Sequence, residues 1–170
     1  LDYDFGDAAA VERAFAAAAH VTELDLVNNR LACAPLEPRA AVAEYDPAHD
    51  HFTLHVGSQG VFNLKNTLAN DIMKIDPAKL RVLTYDVGGS FGMKIASYPE
   101  YVAILHAARD LGRPVRWRDE RSESFLSDHQ GRDSLYTAKL ALDADGNVTA
   151  LDVDVVGNLG AYMSFVGPMI

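Results

Sequence analysis

From Asp7 onward the chain places Val11, Ala14, Phe15 and Ala18 at spacings of three and four. That is the stripe of an amphipathic helix, and Asp7 is a suitable N-cap for it. The period then drops to two. Leu24 and Leu26 alternate with Glu23 and Asp25, which predicts a strand. It leads into NNRLACAPLEPR (28–39), where Pro35 and Pro38 exclude a regular helix and predict an extended, turning segment. Residues 40–45 and 51–56 read as a hairpin across a polar turn, with Phe52, Leu54 and Val56 on one face.

Past Gly57, the positions Val61, Leu64, Leu68 and Ile72 return to helical spacing, so Gln59 falls on a strand-to-helix loop. RVLTYDV (81–87) reads as a short buried strand that enters the glycine-rich stretch YDVGGSFGMK (85–94). Ser97 and Glu100 have the spacing of a capping box with Pro99 in the first turn, opening a helix through Ile104, Leu105 and Ala108 to Gly112. A second hairpin is expected from 136–142 and 148–156 around the turn DADGN (143–147). The fold expected is α+β, with antiparallel or mixed hairpins and helices packed on one face, and without strict βαβ alternation. No repeat or low-complexity linker divides the chain, which reads as a single domain over 1–170. It lacks a first Met and stops within the apolar run GAYMSFVGPMI (160–170), as a piece of a longer polypeptide would.

Composition narrows the partners more than the fold. With 49% hydrophobic and 23% charged residues among 170, the chain is globular in character. A net charge of −9 argues against a nucleic-acid backbone as ligand. One cysteine, Cys33, excludes an internal disulfide and suits a reducing compartment. No stretch has the length and apolarity of a membrane span or signal peptide, so a cytoplasmic location is expected.

Several clusters have plain explanations. His51 and His55 on one strand would lie about 13 Å apart, too far to share a metal. Asp143, Asp145 and Asn147 fit a hairpin turn better than a calcium loop, since the glycine comes early and no glutamate closes the motif. Asp152 and Asp154 fit a solvated sheet face. Arg113, Arg116, Arg118 and Arg121 interleave with Asp119, Glu120 and Glu123, which predicts a surface ion-pair network beside a buried strand residue, Trp117.

The glycine-rich stretch matches neither G-x-x-x-x-G-K nor G-x-G-x-x-G. Glycines tolerate positive φ and close approach, so Gly88, Gly89 and Gly92 either offer backbone N–H groups to an anion or oxo group, or form a tight turn only. This loop and the one carrying Gln59 each follow a strand and precede a helix, and could converge on one ligand.

Read together and in order, NNRLACAPLEPRAAVAEYD (28–46), GSQGVFNLKNTLA (57–69), DVGGSFGMK (86–94), LGRPVRWRDERSESFLSDHQGRD (111–133) and DADGNVTALDVDVVGNLGAY (143–162) resemble the molybdenum-binding large subunits of the xanthine oxidase family of molybdenum hydroxylases, above all the aerobic carbon monoxide dehydrogenase branch. The resemblance implies part of a molybdopterin-binding domain. The parent would be an oxidoreductase acting on a small carbon substrate (CO, an aldehyde or a heterocycle) with water as oxygen source. It implies a molybdenum-pyranopterin cofactor, with the cytosine dinucleotide form open. It also implies [2Fe–2S] clusters and FAD on a small iron–sulfur and a medium FAD-binding subunit. Gln59 matches the glutamine that hydrogen-bonds the molybdenum oxo group, and Gly88, Gly89, Phe91 and Gly92 match the loop closing on the molybdenum. Arg132 is similar in place to a substrate-side arginine.

The departures set expectations too. Ile95 stands where purine hydroxylases carry a glutamate, which points away from purines. Ser90 and Met93 replace family glycines and would narrow the pocket. Cys33 does not match the copper-binding cysteine, and the catalytic glutamate would lie past Ile170. No catalytic or metal-ligating residue is therefore assigned within the chain. The contrasting expectation is a catalytically silent scaffold that binds no cofactor alone; a nucleotide-binding module has no matching motif.

Overall fold

The structure, a computed structural model, describes residues 2–161. The end of the apolar run noted above, 162–170, lies outside the described residues. In chain order the elements begin α1 (Ala8–Ala17), β1 (His20–Asn28), β2 (Leu31–Ala32), β3 (Ala40–Asp46), β4 (His51–Val56) and α2 (Val61–Asn66). They continue with β5 (Leu80–Leu83), α3 (Pro99–Leu111), β6 (Val115–Arg118), α4 (Arg121–Ser127), β7 (Gln130–Gly131), β8 (Ser134–Leu142) and β9 (Val148–Gly157). The α+β class read from the sequence is the one found. The chain forms two compact units, one built from both ends, up to Leu31 and from Gly131, and the other from Ala32–Gln130.

The first unit is an antiparallel sheet in the order β1-β8-β9, with α1 packed on β9. Asp7 caps α1 by accepting a hydrogen bond from the Ala10 N–H at 2.9 Å, and the expected stripe is half-buried, together with Ala10. The register places Thr22, Leu24 and Leu26 beside Leu140, Ala138 and Tyr136, and these beside Leu151, Val153 and Val155. One face is therefore almost wholly apolar, yet Leu24, Leu26, Leu151, Val153 and Val155 are all exposed. The other face carries Glu23, Asp25, Lys139, Asp152 and Asp154, with a Lys139–Glu23 ion pair and a Thr137–Asp25 hydrogen bond.

The second unit holds the core. Its sheet has the order β5-β4-β3-β6, in which β3 is antiparallel to β4 and β6, and β4 is parallel to β5. The expected face of β4, Phe52, Leu54 and Val56, is buried together with Ala41, Ala43, Leu80 and Val82. Tyr101, Ile104, Leu105 and Ala108 of α3 cover it, along with Leu64 and Leu68. Gly112 ends α3 in the left-handed conformation with φ 61°.

Three local expectations are corrected. After α2 the chain continues as a π-helical turn at Thr67–Met73, and its wider period shifts the apolar stripe by one residue. Leu68 and Ala69 are buried and Met73 packs on the core, while Ile72 is 44% exposed. The Ser97–Glu100 capping box does not form: Tyr98 is the N-cap of α3, and Glu100 bonds Arg39 instead. A capping box is found instead at Glu120 and Glu123 of α4. Finally, Arg113, Arg116, Arg118 and Arg121 form no ion pair among the described residues, and Trp117 is half-buried on β6.

Candidate functional site

Because β4 and β5 are parallel neighbours, the loops that leave their C-terminal ends emerge at the same sheet edge. That is the physical reason two loops 30 residues apart meet. Ser58 N–H donates to Thr84 Oγ1 at 3.3 Å, and Gln59 N–H donates to the Lys94 carbonyl at 3.2 Å. The Gln59 side chain then reaches into the glycine loop. Its Oε1 accepts from Ser90 Oγ at 2.5 Å and from Gly92 N–H at 3.0 Å. A backbone N–H can only donate, so this contact fixes which end of the carboxamide is oxygen. The amide nitrogen of Gln59 makes no hydrogen bond among the described residues and remains a free neutral donor on an exposed side chain.

The loop itself is wound tightly. Gly89, Phe91 and Gly92 have φ of 96°, 54° and 90°, a left-handed run that is easy for glycine and strained for Phe91. Phe91 projects outward, 76% exposed, and its carbonyl accepts a weak bond from Cys33 Sγ at 3.5 Å. The N–H groups of Gly89, Ser90 and Phe91 make no hydrogen bond among the described residues. Gly88 is required for a different reason: a Cβ there would sit 2.6 Å from the Glu37 Cβ.

Charge beneath the loop is buried and paired. Lys94, whose side chain is fully buried, bonds Glu37 Oε2 at 2.7 Å. Lys94 holds the Glu37 carboxyl below its ordinary value; burial opposes this and the Gly88 N–H adds to it. Two residues on, the wholly buried Arg39 bonds Asp128 at 2.6 Å and Glu100 through both terminal nitrogens, and stacks 3.6 Å over the Tyr98 ring. Burial works against this cation, but its bonds to Glu100 and Asp128 outweigh it and raise the guanidinium pKa above its ordinary value. Burial also pushes the Tyr98 hydroxyl up to about 12 and keeps His129 below its ordinary value.

The structure thus brings together Gln59, Gly88, Gly89, Phe91 and Gly92. Arg132 belongs to the other unit, where it is exposed with φ 71°. Sequence reasoning missed Glu37, Arg39 and Lys94, and read Ser90 as narrowing the pocket without its bonds to Gln59 and Lys94. A trace of them was present, since Glu37 and Arg39 flank a proline and Lys94 is a lone charge between apolar residues. Among the described residues no group of three or more His, Cys, Asp or Glu could hold a metal, and no helix is long and apolar enough to cross a membrane. The donors suit a ligand whose acceptor oxygens need neutral N–H groups, and not a bare cation.

Residues 2–170 match the molybdopterin cofactor-binding domain. The chain is 35% identical over 167 residues to the 6-hydroxypseudooxynicotine dehydrogenase complex subunit gamma of Paenarthrobacter nicotinovorans, covering 98% of this chain and 20% of that one. It is 33% identical over 163 residues to the carbon monoxide dehydrogenase large chain of Hydrogenophaga pseudoflava, covering 96% and 20%. Among solved structures it is similar to CO dehydrogenase from Oligotropha carboxidovorans (TM-score 0.80, 30% identity, 88% of this chain and 18% of that one). It is also similar to quinoline 2-oxidoreductase from Pseudomonas putida 86 (TM-score 0.78, 31% identity, 85% and 18%). The chain therefore spans about a fifth of the length of these relatives. It belongs to the molybdopterin cofactor-binding domain family, in the molybdenum-binding large subunits of the xanthine oxidase family.

Proposed function

We propose that this chain is the part of a molybdenum hydroxylase large subunit that walls the metal side of the cofactor, with Gln59 donating its carboxamide N–H to the molybdenum oxo group. The observation that carries this is the pinned oxygen and free amide nitrogen of Gln59. When bound, the molybdenum-pyranopterin supplies the redox chemistry by which a small carbon substrate such as CO, an aldehyde or a heterocycle is oxidised with oxygen from water. The chain's own residues orient and seal. Gln59 offers a donor without adding charge, Gly89 to Phe91 present backbone N–H groups, and the outward Phe91 ring excludes water from that side. Arg132 is a candidate contact on the substrate side, and Ile95 is the residue that argues against purines.

The parent assembly we infer also has an iron–sulfur subunit and an FAD subunit in the cytoplasm, with the pterin in its plain or cytosine dinucleotide form. Relatives named as a large chain or as a subunit of a complex support partner subunits. Cys33 has its sulfur turned to the carbonyls of Phe91 and His129, which supports a copper ligand, if one is used, being another residue. The exposed apolar sheet face favours a second statement, that the 170 residues alone are a silent scaffold.

Gln59→Ala in the parent enzyme tests the main reading. Molybdenum content should stay stoichiometric while kcat falls on the order of 10²-fold, the usual cost of one preorganised donor. An unchanged kcat would remove Gln59 from the site.

A further inference from the structure

Both ends of the glycine loop meet at one atom. Glu37 Oε2 accepts from the Gly88 N–H at 2.8 Å and from Lys94 Nζ at 2.7 Å, so the residues that open and close the stretch 88–94 share a single carboxylate oxygen. The backbone seconds the attachment, since Glu37 N–H donates to the Gly88 carbonyl at 3.1 Å. Lys94 is fully buried while Glu37 keeps 44% of its side chain exposed, so the ammonium has been brought to the carboxylate from beneath the loop. A buried ammonium without its counter-charge is strongly disfavoured, which makes the pairing obligatory for this arrangement.

Glu37 is itself held still. Arg121 Nη2 donates to the carbonyls of Pro35 and Leu36, and Arg39, just beyond Pro38, is locked among Asp128, Glu100 and Ser127. From this fixed point the contacts run to Ser90 Oγ, which accepts from Lys94 N–H at 3.0 Å, and on to Gln59 Oε1, which accepts from Ser90 Oγ and Gly92 N–H. We propose that Glu37 and Lys94 form a latch that sets the height and tilt of the loop, and through it the direction of the free Gln59 N–H. They are positioning residues, and the purpose assigned to the latch rests on the loop being the wall of the molybdenum site.

Length is what distinguishes a latch from simple charge neutralisation. Glu37→Asp keeps the charge but is one methylene short of spanning from Gly88 to Lys94. Glu37→Gln with Lys94→Met removes both charges at nearly constant volume and leaves no uncompensated ammonium to unfold the unit.

Amide hydrogen exchange on the full parent subunit, with and without its cofactor, reads the outcome. In the cofactor-free protein, Glu37→Asp and the double variant should each exchange the hydrogen-bonded amides of Gly88, Gly92, Met93 and Lys94 about tenfold or more faster than wild type, with β3 and β4 unchanged. Wild-type exchange at Gly88, Gly92, Met93 and Lys94 in both variants would overturn the latch. So would faster exchange that spread equally into β3 and β4, which would make Glu37 a general stability residue. Full recovery of wild-type exchange by Glu37→Asp would reduce the pair to charge neutralisation and also overturn it. Cofactor loading of wild type is judged separately. If it fails to slow the Gly89 to Phe91 amides, the reading of the loop as the cofactor wall fails, while the latch is still decided by the variants.

Discussion

Gly88 and Gly60 look alike in the sequence and differ in kind. A Cβ at Gly88 would lie 2.6 Å from the Glu37 Cβ, whereas one at Gly60 meets nothing within 4 Å, and Gly60 sits at φ 176° in ordinary extended backbone. Gly88→Ala should therefore destabilise by about 1–3 kcal/mol through overpacking. Gly60→Ala should stay within about 0.5 kcal/mol. Denaturant unfolding of both in the parent subunit measures the contrast, and equal effects would mean that the approach of 35–38 to the loop is wrong. At this scale the candidate site was half legible. Gln59 and the glycines announce themselves because polar and glycine residues in strand-to-helix loops are locally recognisable. Glu37 and Lys94 do not, because their bond joins residues 57 apart and neither has a local signature.

Among the elements, those governed by a constant period were readable and those that change period were not. The hairpins, α1 and the body of α3 follow from alternation or from three-four spacing. The stripe from Val61 was projected to Ile72, but the π turn delivers Met73 to the core in its place. Ile72→Ala should accordingly change stability by no more than about 0.5 kcal/mol. Met73→Ala should cost roughly 2 kcal/mol, the low end for a core methionine. The opposite ranking in thermal or denaturant unfolding would restore a plain α-helix here. The capping box expected at Ser97 failed for a related reason. Glu100 has the right spacing, but a buried Arg39 offers it a stronger, charge-assisted partner. Local motifs yield where a distant buried charge must be satisfied.

For the whole molecule, the apolar face of the β1-β8-β9 sheet is the feature that sequence alternation implied without saying what meets it. Exposed faces of this kind drive association or mark an interface. The 170-residue chain expressed alone should bind hydrophobic dyes and self-associate at neutral pH, despite its net charge of −9. Leu24→Thr with Val153→Thr, which keeps β-compatible side chains, should reduce both by several-fold. Dye binding unaffected by the double substitution would place the sticky surface elsewhere. The sequence reading kept one domain throughout; the two compact units were not foreseen because no linker or change of composition marks Leu31 or Gln130.

The first unit is closed by strands more than 100 residues apart in sequence, with Asn28 opposite Ser134 and His20 opposite Leu142. On the ribosome this becomes a matter of time. At a synthesis rate of about 5–20 residues per second, β1 emerges roughly 5 to 20 s before its nearest partner in β8 exists. Over that interval the 32–130 unit, whose four-stranded sheet β5-β4-β3-β6 lies wholly within it, can fold. The alternating strand of Leu24 and Leu26 must meanwhile wait with both edges open. The order of assembly of these two units is thereby written into the topology: the loops that carry Gln59 and the glycines are set before the β1-β8-β9 sheet closes.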